Sequence, residues 1–110
     1  MQYKTIVVPK DQEAKRALDY DKATSEQLIE LVLDETEFKK LWGTGFFELI
    51  NNIAEVNIDN YEDEAVEEKE KLEKVLASEI FTITIIDKVK QIKSLFEEAL
   101  KRKTGVYFFF

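Results

Sequence analysis

The chain reads as an α+β domain: four to five helices packed on a small sheet that includes both terminal segments. Three observations predict it. Residues 3–8 (YKTIVV) are dense in β-branched side chains and run into Pro9, the pattern of an opening strand. Residues 106–110 (VYFFF) place four aromatics in succession, a run that would not stay in water and so reads as a buried strand, paired with the first. Between these ends, apolar residues recur mostly at helical spacing.

Each intervening element has its own signal. Residues 11–20 are largely polar, with Ala14, Ala17 and Leu18 at helical spacing, which predicts a short, loosely packed helix. Thr24 and Gln27 have capping-box spacing ahead of a stripe of Leu28, Leu31, Val32, Phe38, Leu41 and Trp42. Glu35 interrupts that stripe, and Asp34 with Glu37 forms a second cap, so one helix or two fit. Gly43 and Gly45 supply a stop. Phe46, Phe47, Ile50 and Ile53 then mark another short helix, and residues 55–58 alternate like a brief strand or an extended connection.

Residues 61–78 read as an acidic helix, with Glu62, Asp63 and Glu64 in its first turn, where the helix dipole favours carboxylates. Residues 80–86 (IFTITII) fit a strand by β-branching, or a helix start through Thr84 and Asp87. Val89, Ile92, Leu95, Phe96, Ala99 and Leu100 form the cleanest amphipathic stripe, ended by Lys101, Arg102 and Lys103 and then Thr104 and Gly105. There is no internal repeat and no linker, so residues 1–110 form a single domain.

Composition removes most chemistry. The 110 residues contain no His and no Cys, which excludes disulfides, Cys/His zinc sites, thiol nucleophiles and imidazole catalysis. The glycines around Trp42 and Phe46 fail the spacing of both phosphate-loop patterns and read as a turn. Residues 57–64 look superficially like a calcium loop, but the sixth position falls on Glu62 or Glu64 where Gly is needed. Glu-x-Lys units at 13–15, 37–39 and 67–69 are what chance gives in a chain that is 35% charged. No cofactor, no metal and no enzymatic role are expected.

The formal charge is −7 and is unevenly placed. Asp59, Glu62, Asp63, Glu64, Glu67, Glu68 and Glu70 stand against Lys69 alone, whereas the segment from Lys88 onward is net basic. A surface this acidic repels phosphate backbones, so nucleic acid is not an expected partner, while a basic protein is attracted. The first residues lack the apolar core of a signal peptide and no apolar run approaches the ~20 residues of a membrane span. The expectation is a cytoplasmic protein without membrane attachment. Tyr61, an aromatic with a polar tip inside the acidic run, has the character of a binding anchor or of a ring packed on the fold. Asp59, Tyr61, Glu62, Asp63, Glu67 and Glu70 are therefore the candidate contacts, with Asp63, Glu67 and Glu70 on one helix face. Trp42 to Phe47 is the alternative interface, against their more ordinary place in a core.

The stretch 46–53 (FFELINNI) leading into 57–64 (NIDNYEDE), with the ending 105–110 (GVYFFF), resembles the small acidic immunity proteins of bacterial contact-dependent inhibition and related polymorphic toxin systems. The resemblance spans roughly the last two thirds of the chain and carries no catalytic motif. It implies a cytoplasmic protein that binds one cognate toxin domain, often a basic nuclease, and blocks it by occlusion. Two other classes stay open from the residues alone. A nucleic-acid mimic made by a phage or plasmid would space its charges like a duplex, and a carboxylate-metal enzyme would converge three or more acids in a cleft.

Overall fold

In the computed structural model, which describes residues 4–59, 63–82 and 87–110, the two outer segments of the chain lie side by side. Lys4–Pro9 (β1) pairs antiparallel with Val106–Phe109 (β4), Ile6 opposite Phe108 and Val7 opposite Tyr107. Leu28–Leu33 (β2) flanks β1 and Glu64–Val66 (β3) flanks β4, giving the order β2-β1-β4-β3 with every neighbour antiparallel. The helices among the described residues are Gln12–Asp19 (α1), Glu35–Gly43 (α2), Phe46–Ala54 (α3), Lys69–Ala77 (α4) and Asp87–Arg102 (α5). The class is α+β, with both terminal segments in the sheet as their composition predicts.

Strand pleating sends alternate side chains to opposite faces. Ile6, Val8, Leu31, Leu33, Val66, Val106 and Phe108 share the inner face and join one core with Phe38, Leu41, Phe46, Phe47, Leu72, Val75, Ile92 and Phe96 from the helices. Several of its rings meet edge-on, Phe47 at 6.2 Å from Phe108 and Phe38 at 4.8 Å from Phe110. That geometry sets the positive rim of one ring against the negative face of the next. Phe46 and Phe47 have no exposed surface, which places them in the core. Lys4 closes the strand end: its ammonium donates to the Phe110 carbonyl at 2.7 Å and sits 5.3 Å from the Phe38 ring centre.

Two segments read as helical contain strands. Residues 28–33 were expected within a helix starting at Thr24. The Thr24 amide does donate to the Gln27 side chain, at 3.0 Å, but the turn it closes is a single 3₁₀ turn, Ser25–Gln27. The sequence LIELVL satisfies both periods, because Leu28, Leu31 and Val32 suit a helix while Ile29, Leu31 and Leu33 suit a strand. Pairing with β1 decides it, since a strand there extends the core that Ile6 and Val8 begin. The helix starts one cap later. Asp34 accepts from the Glu37 amide at 2.8 Å while the Glu37 carboxylate accepts from the Asp34 amide at 3.0 Å.

The acidic helix is likewise shorter than its pattern. Residues 64–66 form β3, with Ala65 opposite Tyr107 and Val66 opposite Val106, and α4 begins only at Lys69. Asp63, Glu67 and Glu70 therefore do not share a helix face: one precedes β3, one follows it, and one lies in α4. Residues 80–82 form a 3₁₀ turn, while residues 83–86, including the Thr84 cap, lie outside the described residues. Of residues 55–58, Glu55 turns left-handed at the end of α3, at φ 55°, and 56–58 form a connection outside any strand. Asn51 clamps it from both sides, donating to the Ile58 carbonyl at 3.0 Å and accepting from its amide at 2.6 Å.

The end of α5 shows why Thr104 and Gly105 stand where they do. Lys103, not the glycine, takes the left-handed turn, at φ 60°. The Thr104 hydroxyl donates to the Pro9 carbonyl at 2.7 Å, completing a strand whose last residue has no partner within β4. A Cβ on Gly105 would stand 2.9 Å from the Val66 carbonyl oxygen, so the glycine is what lets β3 approach.

Candidate functional site

The outer face of the sheet is built differently from the inner one. It carries Thr5 and Val7 from β1, Tyr107 and Phe109 from β4, Ala65 from β3, and Glu30 and Val32 from β2. A single short helix, α1, lies over it, started by Asp11, whose carboxylate accepts from the Ala14 amide at 2.7 Å. Ala14, Val7 and Tyr107 are buried there but stand apart from the main core.

Between the C-terminal end of α1 and the β3–β4 pair runs an open groove of about 460 Å3. Its floor is Ala65, Tyr107 and Phe109, the two rings stacked at 6.2 Å between centroids and 20° between planes. Leu18 closes one wall. The rim is Asp19, Asp21, Asp63 and Glu64, with no lysine or arginine among its described lining. The Tyr107 hydroxyl donates to the carboxylate of Glu67, itself exposed, and lies 3.5 Å from an Asp19 oxygen. Burial first, then the Glu67 carboxylate and then Asp19, push the phenol well above its ordinary pKa, so it stays a neutral donor.

Asp21 reaches the rim through an unfavourable backbone. It takes φ 59° at the left-handed position after α1, where its amide donates to Leu18 O at 2.9 Å and the Lys22 amide to Ala17 O at 2.7 Å. Glycine is the usual occupant of that position in such a helix stop. Beside it Tyr20, the helix C-cap, is 73% exposed, the most solvent-facing large hydrophobic side chain among the described residues.

Chemically the groove suits a cation with a flat or extended apolar stem. An arginine or lysine side chain entering it would lie on aromatic faces and meet carboxylates at the rim. A larger hollow of about 510 Å3, lined in part by Glu67, Leu72, Lys69 and Lys103, mixes both signs of charge without an aromatic floor and so favours no one partner. Among the described residues no group of three or more carboxylates is placed to hold a metal ion, and no helix is long and apolar enough to cross a membrane.

Of the residues singled out in the sequence, Asp63 lies on the groove rim and Glu67 holds its tyrosine. Asp59 is half-buried in the connection that follows α3, next to the buried Ile58. Glu70 is exposed in the first turn of α4 and is not among the lining residues of the groove. Tyr61 and Glu62 lie outside the described residues. In the alternative interface Phe46 and Phe47 are wholly buried, while Trp42 is half-buried and packs on Phe47 at 5.2 Å. Sequence reasoning missed Asp19, Asp21, Tyr107 and Phe109, which only the fold brings to one groove. One signal was present in the order of residues: Tyr20 stands between Asp19 and Asp21, the same aromatic-within-acids pattern that drew attention to Tyr61. Compared with protein-family models, curated proteins and solved structures, the chain matches none of them.

Proposed function

We propose that this chain is a cytoplasmic immunity protein that binds a basic bacterial toxin domain and neutralises it by occlusion, with the outer-face groove as the contact centre. The observation that carries the reading is the groove's composition: carboxylates from Asp19, Asp21, Asp63 and Glu64, no base among its described lining, and a floor of Tyr107 and Phe109. Tyr20 beside it provides an exposed aromatic of the kind that anchors interfaces. Occlusion needs no catalytic group, only a rigid surface of complementary shape and charge. The sheet and α1 supply the rigidity. A basic active-site groove of a nuclease would be drawn to this rim, and its substrate phosphates excluded.

The test is co-expression with the toxin domain encoded in the neighbouring reading frame. The parent chain should protect growth, and Asp19→Asn combined with Asp63→Asn should slow association by on the order of tenfold at low salt. Tyr20→Ala should shorten the lifetime of the complex instead. Equal protection by all three proteins moves the interface off this groove. A micromolar divalent-metal site with phosphoester hydrolysis by the chain itself overturns the inhibitor reading.

A further inference from the structure

The two edges of the sheet are finished differently, and the difference marks a second docking surface. In the β1–β2 pair the Lys10 amide donates to Gln27 O at 2.9 Å, so by alternation Ile29, Leu31 and Leu33 bond to β1. The amides and carbonyls of Glu30 and Val32 point the other way, off the sheet, and no described residue pairs with that side of β2. Leu28 is partly used, since its amide closes the 3₁₀ turn onto Ser25 O.

At the opposite edge the same alternation leaves Ala65 as the outward residue of β3. Its amide is already taken by the Glu64 carboxylate at 2.9 Å, whose other oxygen accepts from the Asn57 amide at 3.2 Å. One edge is closed by a side chain. The other is six residues long, has no proline, and exposes Val32 at 43%. Natural sheets blunt such an edge, and this one keeps it open with a single charge, Glu30, at its centre.

We infer that β2 accepts an added antiparallel strand from a partner whose extended segment places a lysine or arginine opposite Glu30 and an apolar residue opposite Val32. The backbone supplies the hydrogen bonds and the two side chains supply the choice. Charge selects the occupant. Two registers pair the outward residues of a second copy over five positions of β2: one sets Glu30 against Glu30, where like charges directly opposite are destabilising, and the other sets Glu30 against Val32, where it meets no opposite charge. Each copy also carries a formal −7. A basic strand meets neither obstacle. The inference stands apart from the groove and from the toxin reading.

The probe is an acetylated and amidated peptide, Thr-Val-Thr-Lys-Thr-Val-Thr, at concentrations on the order of millimolar, the weak end of the affinity scale. Amide hydrogen exchange is read by NMR on the whole chain. The Glu30 and Val32 amides should exchange rapidly in the free protein and slow at least about tenfold with peptide, the loss of an open edge. Replacing the peptide's Lys by Glu should abolish most of that protection, and Glu30→Lys in the protein should invert the preference. The peptide swap on the parent chain decides the matter even if the variant folds poorly. Three results overturn the inference: no protection with either peptide, shift changes confined to Tyr107 and Phe109, or protection of Glu30 and Val32 by raised protein concentration alone.

Discussion

The two faces of the one sheet do opposite work. On the inner face, Ile6, Val8, Leu31, Leu33, Val66, Val106 and Phe108 are all buried beneath helices and knit the core. On the outer face, the neighbouring residues of the same strands include exposed Glu30 and Val32 and half-buried Thr5 and Phe109, beneath one helix of eight residues. Stability alone would have covered that face or made it polar. Instead it sets aromatic rings among carboxylates. The lesson lies in that contrast: adjacent residues of β4 differ in purpose because the pleat turns them to different neighbours.

Substitutions along β4 should expose the contrast most strongly. Phe108→Ala removes a fully buried ring and should cost about 3–5 kcal/mol, enough to abolish soluble expression or collapse the thermal midpoint. Phe109→Ala, one residue on, loses a half-buried ring and should cost about 1 kcal/mol while weakening capture of a basic partner. Similar losses at both sites in chemical denaturation would erase the distinction between the faces.

Gly105→Ala comes next. Its new methyl would press on the Val66 carbonyl and the Glu67 Cα, both backbone, so about 1–3 kcal/mol should be lost as β3 is pushed away. The same denaturation curves measure it, and the groove should widen with the fold otherwise retained.

Tyr107→Phe is smaller and depends on pH. The folded chain holds the phenolic proton well above the ordinary range, so Tyr107 contributes fully below the unfolded phenol's pKa of about 10. That contribution fades as pH rises from there through the folded value. At pH 8 the variant should be weaker by about 1 kcal/mol, the loss of a hydrogen bond to an exposed carboxylate. Between pH 10 and 12 the gap should narrow. A gap that widens over that range reverses the sign and removes the Glu67 contact from the account.

The smallest effect is a gain. Asp21→Gly relieves a left-handed non-glycine residue and should stabilise by about 0.5 kcal/mol, part of the relief being offset by glycine's extra freedom when unfolded. Lys103→Gly, at the corresponding position after α5, should stabilise by a similar amount and serves as the control.

The parts of this fold visible in the sequence are those whose local pattern and tertiary role agree. β1 and β4 could scarcely be anything but buried strands, and α5 repeats its apolar residues on one face for its whole length. β2 was hidden because Leu28, Leu31 and Val32 mimic a helical stripe, and only the neighbouring β1 resolves the ambiguity. β3 was hidden because three residues in a glutamate-rich run have no pattern of their own; their pairing with β4 and the room made by Gly105 create the strand. For the site, Asp63 and Glu67 were legible from charge density. Asp19, Asp21, Tyr107 and Phe109 were not, because the groove joins positions near 20, 64 and 108 that nothing local connects. The acidic segment reads as one helix because its carboxylates outnumber its pattern residues, whereas residues 64–66 form a strand and α4 begins at Lys69.

The most direct test of the central claim is the association rate of Asp21→Gly with the toxin domain, measured beside its thermal midpoint. The account predicts a chain that melts higher and yet associates more slowly at low salt, with the difference vanishing as salt screens the rim charge. Lys103→Gly should melt higher and associate as the parent does. If Asp21→Gly gains stability with no change in association, the strained carboxylate serves no partner, and the groove is not the binding site.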